Sequence, residues 1–380
     1  MPVAHRPPVY LDYAASAPVR PEVREAMAAA LEAGGNPSSV HATGRKARER
    51  VEMARARVAA LIGAAPERLV FTSGGAEANA LGLAAHVADV DQILVGATEH
   101  EAVSETALRL GLSVRSLPVT ETGVVDLQAL QEALTTDGRA LVALMLANNE
   151  TGVLHPIAEV AAMVRQLGGR LHVDAVQAVG KIAVDIDDLG AHSLAISSHK
   201  LGGPQGAGAL AFAEGVKPKP LWGGGGQEFG LRSGTENTPA ISGFGVAADM
   251  ANQELAGFAN HAAARDATAS AAKALGAVVL GEGAPRLPNL LCLACLGWES
   301  MRQVMRLDLD GVQVSAGAAC ASGKVRPSRV AEAMGAGHLA PFVLRVSSGW
   351  ATEPNDWKRF LEVYRDGAAR HLSRAPAEVN

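Results

Sequence analysis

Lys200 stands directly behind His199 in the run AISSHKLGGPQG (195–206), where an apolar stretch ends and a glycine-rich turn begins. As a surface charge this lysine is badly placed. As an amine withdrawn from water it is a nucleophile, because burial disfavours its protonated form. Other apolar runs also end on polar groups. TEHEAV (98–103) puts His100 past one, and LANNETG (146–152) puts Asn148, Asn149 and Glu150 past another. LHVDAVQAVG (171–180) puts Asp174 past a third, with Gln177 close behind. Singly, each has a plain structural explanation: a core histidine, or an aspartate capping a helix. FTSGGAEAN (71–79) adds Gly74 and Gly75 at a strand-to-helix turn. Free N–H groups and the positive helix end suit a phosphate there, although a lone Gly-Gly pair is more often only a turn.

Together these groups put an amine, a carboxylate, an imidazole able to stack, amides and a phosphate cradle on one sheet edge. Those are the parts a pyridoxal phosphate site requires. The lysine anchors the cofactor covalently, and an aspartate keeps the pyridine nitrogen protonated so that the ring accepts electrons. Hydroxyl and N–H groups take the phosphate.

Such residues must come from neighbouring strand ends. RLVFTS (68–73), QILVGA (92–97), ALVALMLA (140–147), RLHVDA (170–175), SLAISS (193–198) and GALAFA (208–213) read as strands buried on both faces. Helical stretches separate several of them. In PIAEVAAMVRQLGG (156–169), Pro156 marks a start and Gly168 a stop, with Ile157, Val160, Ala161, Val164 and Leu167 on one face. After Gly74-Gly75 a helix is expected from near Glu77. The alternation predicts a mostly parallel sheet covered by helices, binding its ligand at the carboxyl ends of the strands. Beyond about residue 255 an alanine-rich helix leads to GAVVLG, NLLCLACLGW and VLRVSS, which read as a smaller α+β unit. The expected division is a large domain over 14–255 and a small one made of 1–13 and 256–380.

The 380 residues are 48% hydrophobic and 19% charged, enough for a large core. A net charge of −5 and a pI near 6.1 argue against a nucleic-acid partner. The basic stretch GRKARERVEMARAR (44–57) reads as the start of a helix with Val51, Ala54, Val58 and Leu61 facing inward and its charges facing water. No apolar run approaches the roughly 18 residues of a membrane span, and MPVAHRPPVYLDY has no signal core. A cytoplasmic chain without a membrane partner is expected. Three cysteines make no disulfide framework. Cys292 and Cys295 read as core residues of a strand that points them to opposite faces, so neither a redox pair nor a zinc site is expected.

Ten segments, in order along nearly the whole chain, resemble the cysteine desulfurases of the NifS/IscS type, a group of class V aminotransferases. They are YLDYAASAPV (10–19), GNPSSVHATGRKAR (35–48), FTSGGAEAN (71–79), TEHEAV (98–103) and ANNETGVLHPI (147–157). The others are HVDAVQAVGK (172–181), SSHKLGGPQGAGAL (197–210), GGGQEFGLRSGTEN (224–237), SAGAACASGKVRPS (315–328) and LRVSSG (344–349). The resemblance implies an α/β, fold type I PLP-dependent transferase, with a mostly parallel seven-stranded-type sheet and a smaller α+β domain. It implies that Lys200 carries pyridoxal 5'-phosphate and shuttles the substrate's α-proton. His100 would stack on the ring and act as acid and base. Asp174 would pair with the ring nitrogen and Gln177 with the ring hydroxyl. Gly75, Ala76, Ser197 and His199 would hold the phosphate, together with Thr235 from the neighbouring subunit of a homodimer. Asn149 and Arg345 would hold the substrate carboxylate. The chain departs from the family pattern at Ala76, where threonine is common, at Ala80, where asparagine is common, and at Gln205, where a basic residue is frequent.

The cofactor alone does not choose the reaction; Cys320 does. VSAGAACASGK (314–324) is small and glycine-bearing, with Lys324 and Arg326 following, a setting that favours thiolate and travel of the side chain. The resemblance implies that Cys320 takes sulfur from L-cysteine as a persulfide, leaves alanine, and passes the sulfur to an iron–sulfur scaffold or another acceptor protein. No intrinsic metal site is expected; the persulfide would touch iron only transiently, on a scaffold. The loop resembles the longer-loop group, and ACASGK the NifS branch linked to nitrogen fixation. Two rivals stand beside this reading: a selenocysteine lyase or other class V aminotransferase-type enzyme, and a non-catalytic binding relative, which the presence of Lys200, Asp174 and His100 together argues against.

Overall fold

The computed structural model describes residues 7–136, 138–220, 223–317 and 326–372. Cys320 and Lys324 lie outside the described residues. In chain order the strands are β1 (Val9–Tyr10), β2 (Leu69–Thr72), β3 (Gln92–Gly96), β4 (Ser113–Leu117), β5 (Ala140–Met145), β6 (Arg170–Asp174), β7 (Ser193–Ser197) and β8 (Gly208–Phe212). There follow β9 (Val278–Val279), β10 (Leu290–Ala294), β11 (Val312–Gln313), β12 (Ser315–Ala316) and β13 (Val343–Ser347). The helices are α1 (Pro21–Ala33), α2 (Ala42–Leu61), α3 (Gly75–Ala84), α4 (Glu101–Ala107), α5 (Leu127–Thr136) and α6 (Ile157–Gln166). The later ones are α7 (Thr238–Phe258), α8 (His261–Lys273), α9 (Ser300–Leu309), α10 (Arg329–Ala333) and α11 (Pro354–Leu372).

Seven strands form one sheet in the order β2-β8-β7-β6-β5-β3-β4. Strands β3 to β7 run parallel to their neighbours, and β8 alone is reversed against both β7 and β2. Every residue of β3, β5, β7 and β8 is buried, as expected for strands covered on both faces by helices. The edge strand β4 differs: in SVRSL only Leu117 is buried, so no apolar run announces it in the sequence. A second sheet, β12-β13-β10-β9, is antiparallel, and β1 pairs with β11.

The two buried cysteines fall on opposite faces of this second sheet. Cys292 packs with Leu280, Val330 and Leu339, while Cys295 packs with Trp298, Phe360 and Tyr364. Three sequence expectations need correcting. Helix α3 begins at Gly75, before Glu77, because Glu77 reaches back to accept from Ser73 N at 2.6 Å and so closes the first turn. Leu167 is 40% exposed, since α6 ends at Gln166 and its apolar face ends with it. In α2 the buried face is as expected, but Arg55 is on it. Its guanidinium meets Glu228 at 2.7 and 2.9 Å, and Glu228 also accepts from Phe71 N on the edge strand β2. No helix among the described residues is long and apolar enough to cross a membrane.

Candidate active site

Because β3, β5, β6 and β7 are parallel, the chain leaves all four at one edge, and there it carries His100, Asn149, Asp174 and Lys200. After Ser197 a single 3-10 turn, Ser198–Lys200, turns the lysine inward. Its Nζ donates to the carbonyls of Ala14 (2.6 Å) and Ala15 (2.7 Å). Burial, and then the Arg345 charge, lower the Lys200 pKa to about 8, against the opposing pull of Asp12 and Asp174. An appreciable fraction of the amine is therefore neutral, and nucleophilic, near neutral pH.

Asp174 ends β6 and is buried. Its Oδ1 accepts from Val176 N (2.9 Å) and its Oδ2 from Asn79 Nδ2 (2.8 Å). Burial holds this carboxyl above its usual value, and the two donors and the charges of His100 and Lys200 offset that only in part. Glu99 is buried nearby, accepts from Met145 N at 2.6 Å, and leaves its second oxygen without a partner. Burial and the neighbouring Asp174 push Glu99 well above the usual range, so Glu99 is the first of the two carboxyls to take a proton. His100 caps α4, its Nδ1 accepting from Ala102 N, and the ring stays exposed at the mouth of the site. Gln177 donates to Ala14 O at 2.8 Å, while its own Oε1 is buried without a partner.

At the start of α3 the N–H groups of Gly75, Ala76 and Glu77 have no acceptor within the helix. A Cβ on Gly75 would press on Val176 and approach Ser197, so glycine keeps a hollow open between this helix end and β7. His199 lies beside it in sequence, hydrogen-bonding to Ser16 Oγ at 3.3 Å; burial and the lysines 200 and 181 push its pKa down to about 4.

Arg345 arrives from β13 of the second sheet. It is 4% exposed, donates to Asn149 O (3.1 Å) and Asp12 Oδ1 (2.9 Å), and keeps a buried Nε without a partner. Glu150, next to Asn149, accepts from Ser328 Oγ at 2.6 Å, and a Cβ on Gly317 would strike the same carboxylate oxygen. Described residues on either side of Cys320, Gly317 before it and Ser328 after it, thus both meet at Glu150.

The fold therefore gathers Lys200, Asp174, Gln177, His100, Gly75, Ser197, His199, Asn149 and Arg345. Ala76 is at the same helix end but exposed. Thr235 is exposed before α7, and no hydrogen bond among the described residues joins it to the others. Sequence reasoning missed Asp12, Asn79, Glu99 and the Ala14 and Ala15 carbonyls. The segment YLDYAAS was visible only as part of a resemblance, and nothing local tells that it crosses the site. The buried amine, the buried carboxyl of Asp174, the hollow at Gly75 and the unpartnered Gln177 and Arg345 atoms fit pyridoxal phosphate and an amino-acid carboxylate. Among the described residues no group of three His, Cys, Asp or Glu could hold a metal.

The chain matches the family Aminotransferase class-V over residues 9–360. It is 40% identical over 367 residues to the cysteine desulfurase IscS of Dictyoglomus turgidum, covering 93% of each chain. A solved structure described as a NifS-like protein superposes with a TM-score of 0.88 at 33% identity, over 96% of this chain and 100% of that one. Another, described as SspA in complex with cysteine, gives a TM-score of 0.74 at 29% identity, over 89% of this chain and 98% of that one.

Proposed function

The chain belongs to the aminotransferase class-V family, and from that premise we infer that it is a pyridoxal-phosphate-dependent cysteine desulfurase. It removes sulfur from L-cysteine, leaves L-alanine, and supplies the sulfur for iron–sulfur cluster assembly. Relatives of that name along nearly the whole chain support the reading, as does a structural neighbour described with cysteine. The observation that carries it is the convergence on one sheet edge of a lysine with a pKa of about 8, a buried carboxylate and a buried arginine with a spare donor.

When bound, pyridoxal phosphate supplies an electron-accepting ring that loosens the bonds around the substrate's α-carbon. Lys200 would anchor it, Asp174 would pair with its ring nitrogen, Gln177 with its hydroxyl, and His100 would lie against it. Gly75, Ala76, Ser197 and His199 would hold the phosphate, with Thr235 of each subunit reaching across a homodimer. Arg345 and Asn149 orient the substrate carboxylate, the guanidinium through its planar fork. Lys200 moves the α-proton at Nζ, and His100 exchanges protons at the mouth of the site. The Cys320 thiolate attacks the substrate sulfur: an S–S bond forms and the Cβ–S bond breaks. Its electron pair stays with the three-carbon fragment, which takes up a proton and leaves as alanine. One cysteine and one thiol become one alanine and one persulfide, so no outside oxidant or reductant is consumed. The position of Gly317 and Ser328 at Glu150, beside Asn149, supports Cys320 in this role. A cytoplasmic, reducing setting would keep that thiol free. The acceptor is an iron–sulfur scaffold or a comparable sulfur-accepting protein.

The test is sulfide and alanine release from L-cysteine in the presence of a thiol reductant. Wild type should release the two together. Cys320→Ala should keep the yellow cofactor and bind cysteine, yet release almost no sulfide. Undiminished sulfide from that variant overturns Cys320 as the nucleophile and favours a lyase that needs no protein persulfide.

A further inference from the structure

A buried line of hydrogen bonds leads away from Asp174, and the mechanism above makes no use of it. Asn79 Nδ2 donates to Asp174 Oδ2 at 2.8 Å. Asn79 Oδ1 lies 2.9 Å from His172 Nε2, and His172 Nδ1 lies 2.8 Å from Ser193 Oγ. Ser193 Oγ lies 3.0 Å from His86 Nε2. All of these side chains are buried, His172 and Ser193 completely.

When Asp174 is ionised, its carboxylate dictates the direction of every bond in the line. A carboxylate only accepts, so Asn79 must turn its NH2 to Asp174 and its carbonyl to His172. That carbonyl also only accepts, so His172 must carry its proton on Nε2. Nδ1 of a neutral imidazole is then an acceptor, and the Ser193 hydroxyl must donate to it. The remaining lone pair of Ser193 accepts from His86 Nε2–H. Each donor points toward Asp174, and none can be reversed without presenting an oxygen to the carboxylate. Burial keeps both histidines neutral, as the line requires, pushing His172 down to about 3 and His86 to about 4.

The backbone makes room for this arrangement. His172 and Ser193 are register partners on β6 and β7. Asn79 and Gly82 lie on the buried face of α3, and His86 follows at helical spacing just past its end. A Cβ on Gly82 would collide with the His172 ring, so glycine there lets the imidazole lie against the helix. The same helix carries the phosphate hollow at its first turn and Asn79 one turn later.

We propose that Asn79, His172, Ser193 and His86 are positioning residues that keep Asp174 ionised and aimed, and so hold a proton on the ring nitrogen of the cofactor. The proposal rests on the reading of this site as one for pyridoxal phosphate. It is tested on the holoenzyme in two ways. Nitrogen NMR of labelled histidines, with His172 assigned through His172→Gln, should find His172 neutral with its proton on Nε2 at pH 7.5. A proton on Nδ1, or on both nitrogens, overturns the proposal even if His172→Leu does not fold. Second, His172→Leu frees the Asn79 amide to turn over. It should shift the pH dependence of the cofactor's visible band and weaken cofactor retention about ten- to one-hundred-fold, the scale of a lost hydrogen bond to a charge. His172→Gln, whose amide can still donate to Asn79, should restore both. A folded Leu variant with the band and retention of wild type overturns the proposal. Wild type that binds no pyridoxal phosphate removes the site reading and the proposal together. Wild type that binds it leaves both readouts decisive, whatever substrate is turned over.

Discussion

Lys200 owes its reactivity to its surroundings. Two carbonyls, from Ala14 and Ala15, hold its Nζ, and burial with Arg345 nearby lowers its pKa to about 8. The neutral amine is the form that attacks an aldehyde, and its share grows with pH until the pKa is passed. Cofactor attachment to the apoprotein should therefore quicken up to about pH 8 and then level off, as stopped-flow absorbance can follow. An ordinary lysine, near pH 10.5, would still be gaining at pH 9.5, and a rate that climbs that far would contradict this environment. Asp174 and Glu99 follow the same logic with the opposite charge. Two carboxyls share one interior and both are raised, and the one with two hydrogen-bond donors is the later to take a proton.

At the scale of elements, strand ends supply the chemistry and glycines let the elements close on one another. Gly208, for example, allows β8 to pass the backbone of Gly74, which a Cβ would strike. The bend that covers the sheet edge is held by a buried ion pair. Glu228, with a positive φ of 48°, reaches Arg55 on α2 and Phe71 N on β2. Glu228→Ala leaves the buried Arg55 with the exposed Glu52 as its remaining ionic partner, beside the Leu69 carbonyl, and should cost about 3–5 kcal/mol of stability in urea unfolding. A loss below about 1 kcal/mol, the scale of an exposed pair, would contradict a buried one. Much of this level was legible in advance, because β2, β3 and β5 to β8 are apolar runs followed by polar groups, and the alternation with helices orders them. The rest depends on partners distant in sequence. Asp12 meets Arg345 across 333 positions and Asn79 meets Asp174 across 95, so no local pattern reports either. Arg55 was misjudged for the same reason: α2 alone does not reveal that Glu228 returns to meet it.

The folded molecule buries three of its histidines as neutral rings. His86 and His155 are pushed down to about 4 and His172 to about 3, in each case first by burial. The unfolded chain binds protons near pH 6.5 that these folded positions refuse, so stability is full above that pH and falls as pH drops toward 4. The thermal midpoint should decline steadily between pH 7 and pH 5; a flat profile would show that these rings are not held neutral. The same interior brings Arg345 of the second sheet to the edge of the first, and both flanks of the Cys320 segment to Glu150. Sulfur transfer to Cys320 is the claim on which the functional account turns. Its most direct test is mass spectrometry of the Cys320 peptide after the holoenzyme meets L-cysteine without reductant. One added sulfur on that peptide, absent when Lys200→Ala is treated alike, is the expected result. Alanine formed in the wild type with no sulfur on Cys320 would contradict the account.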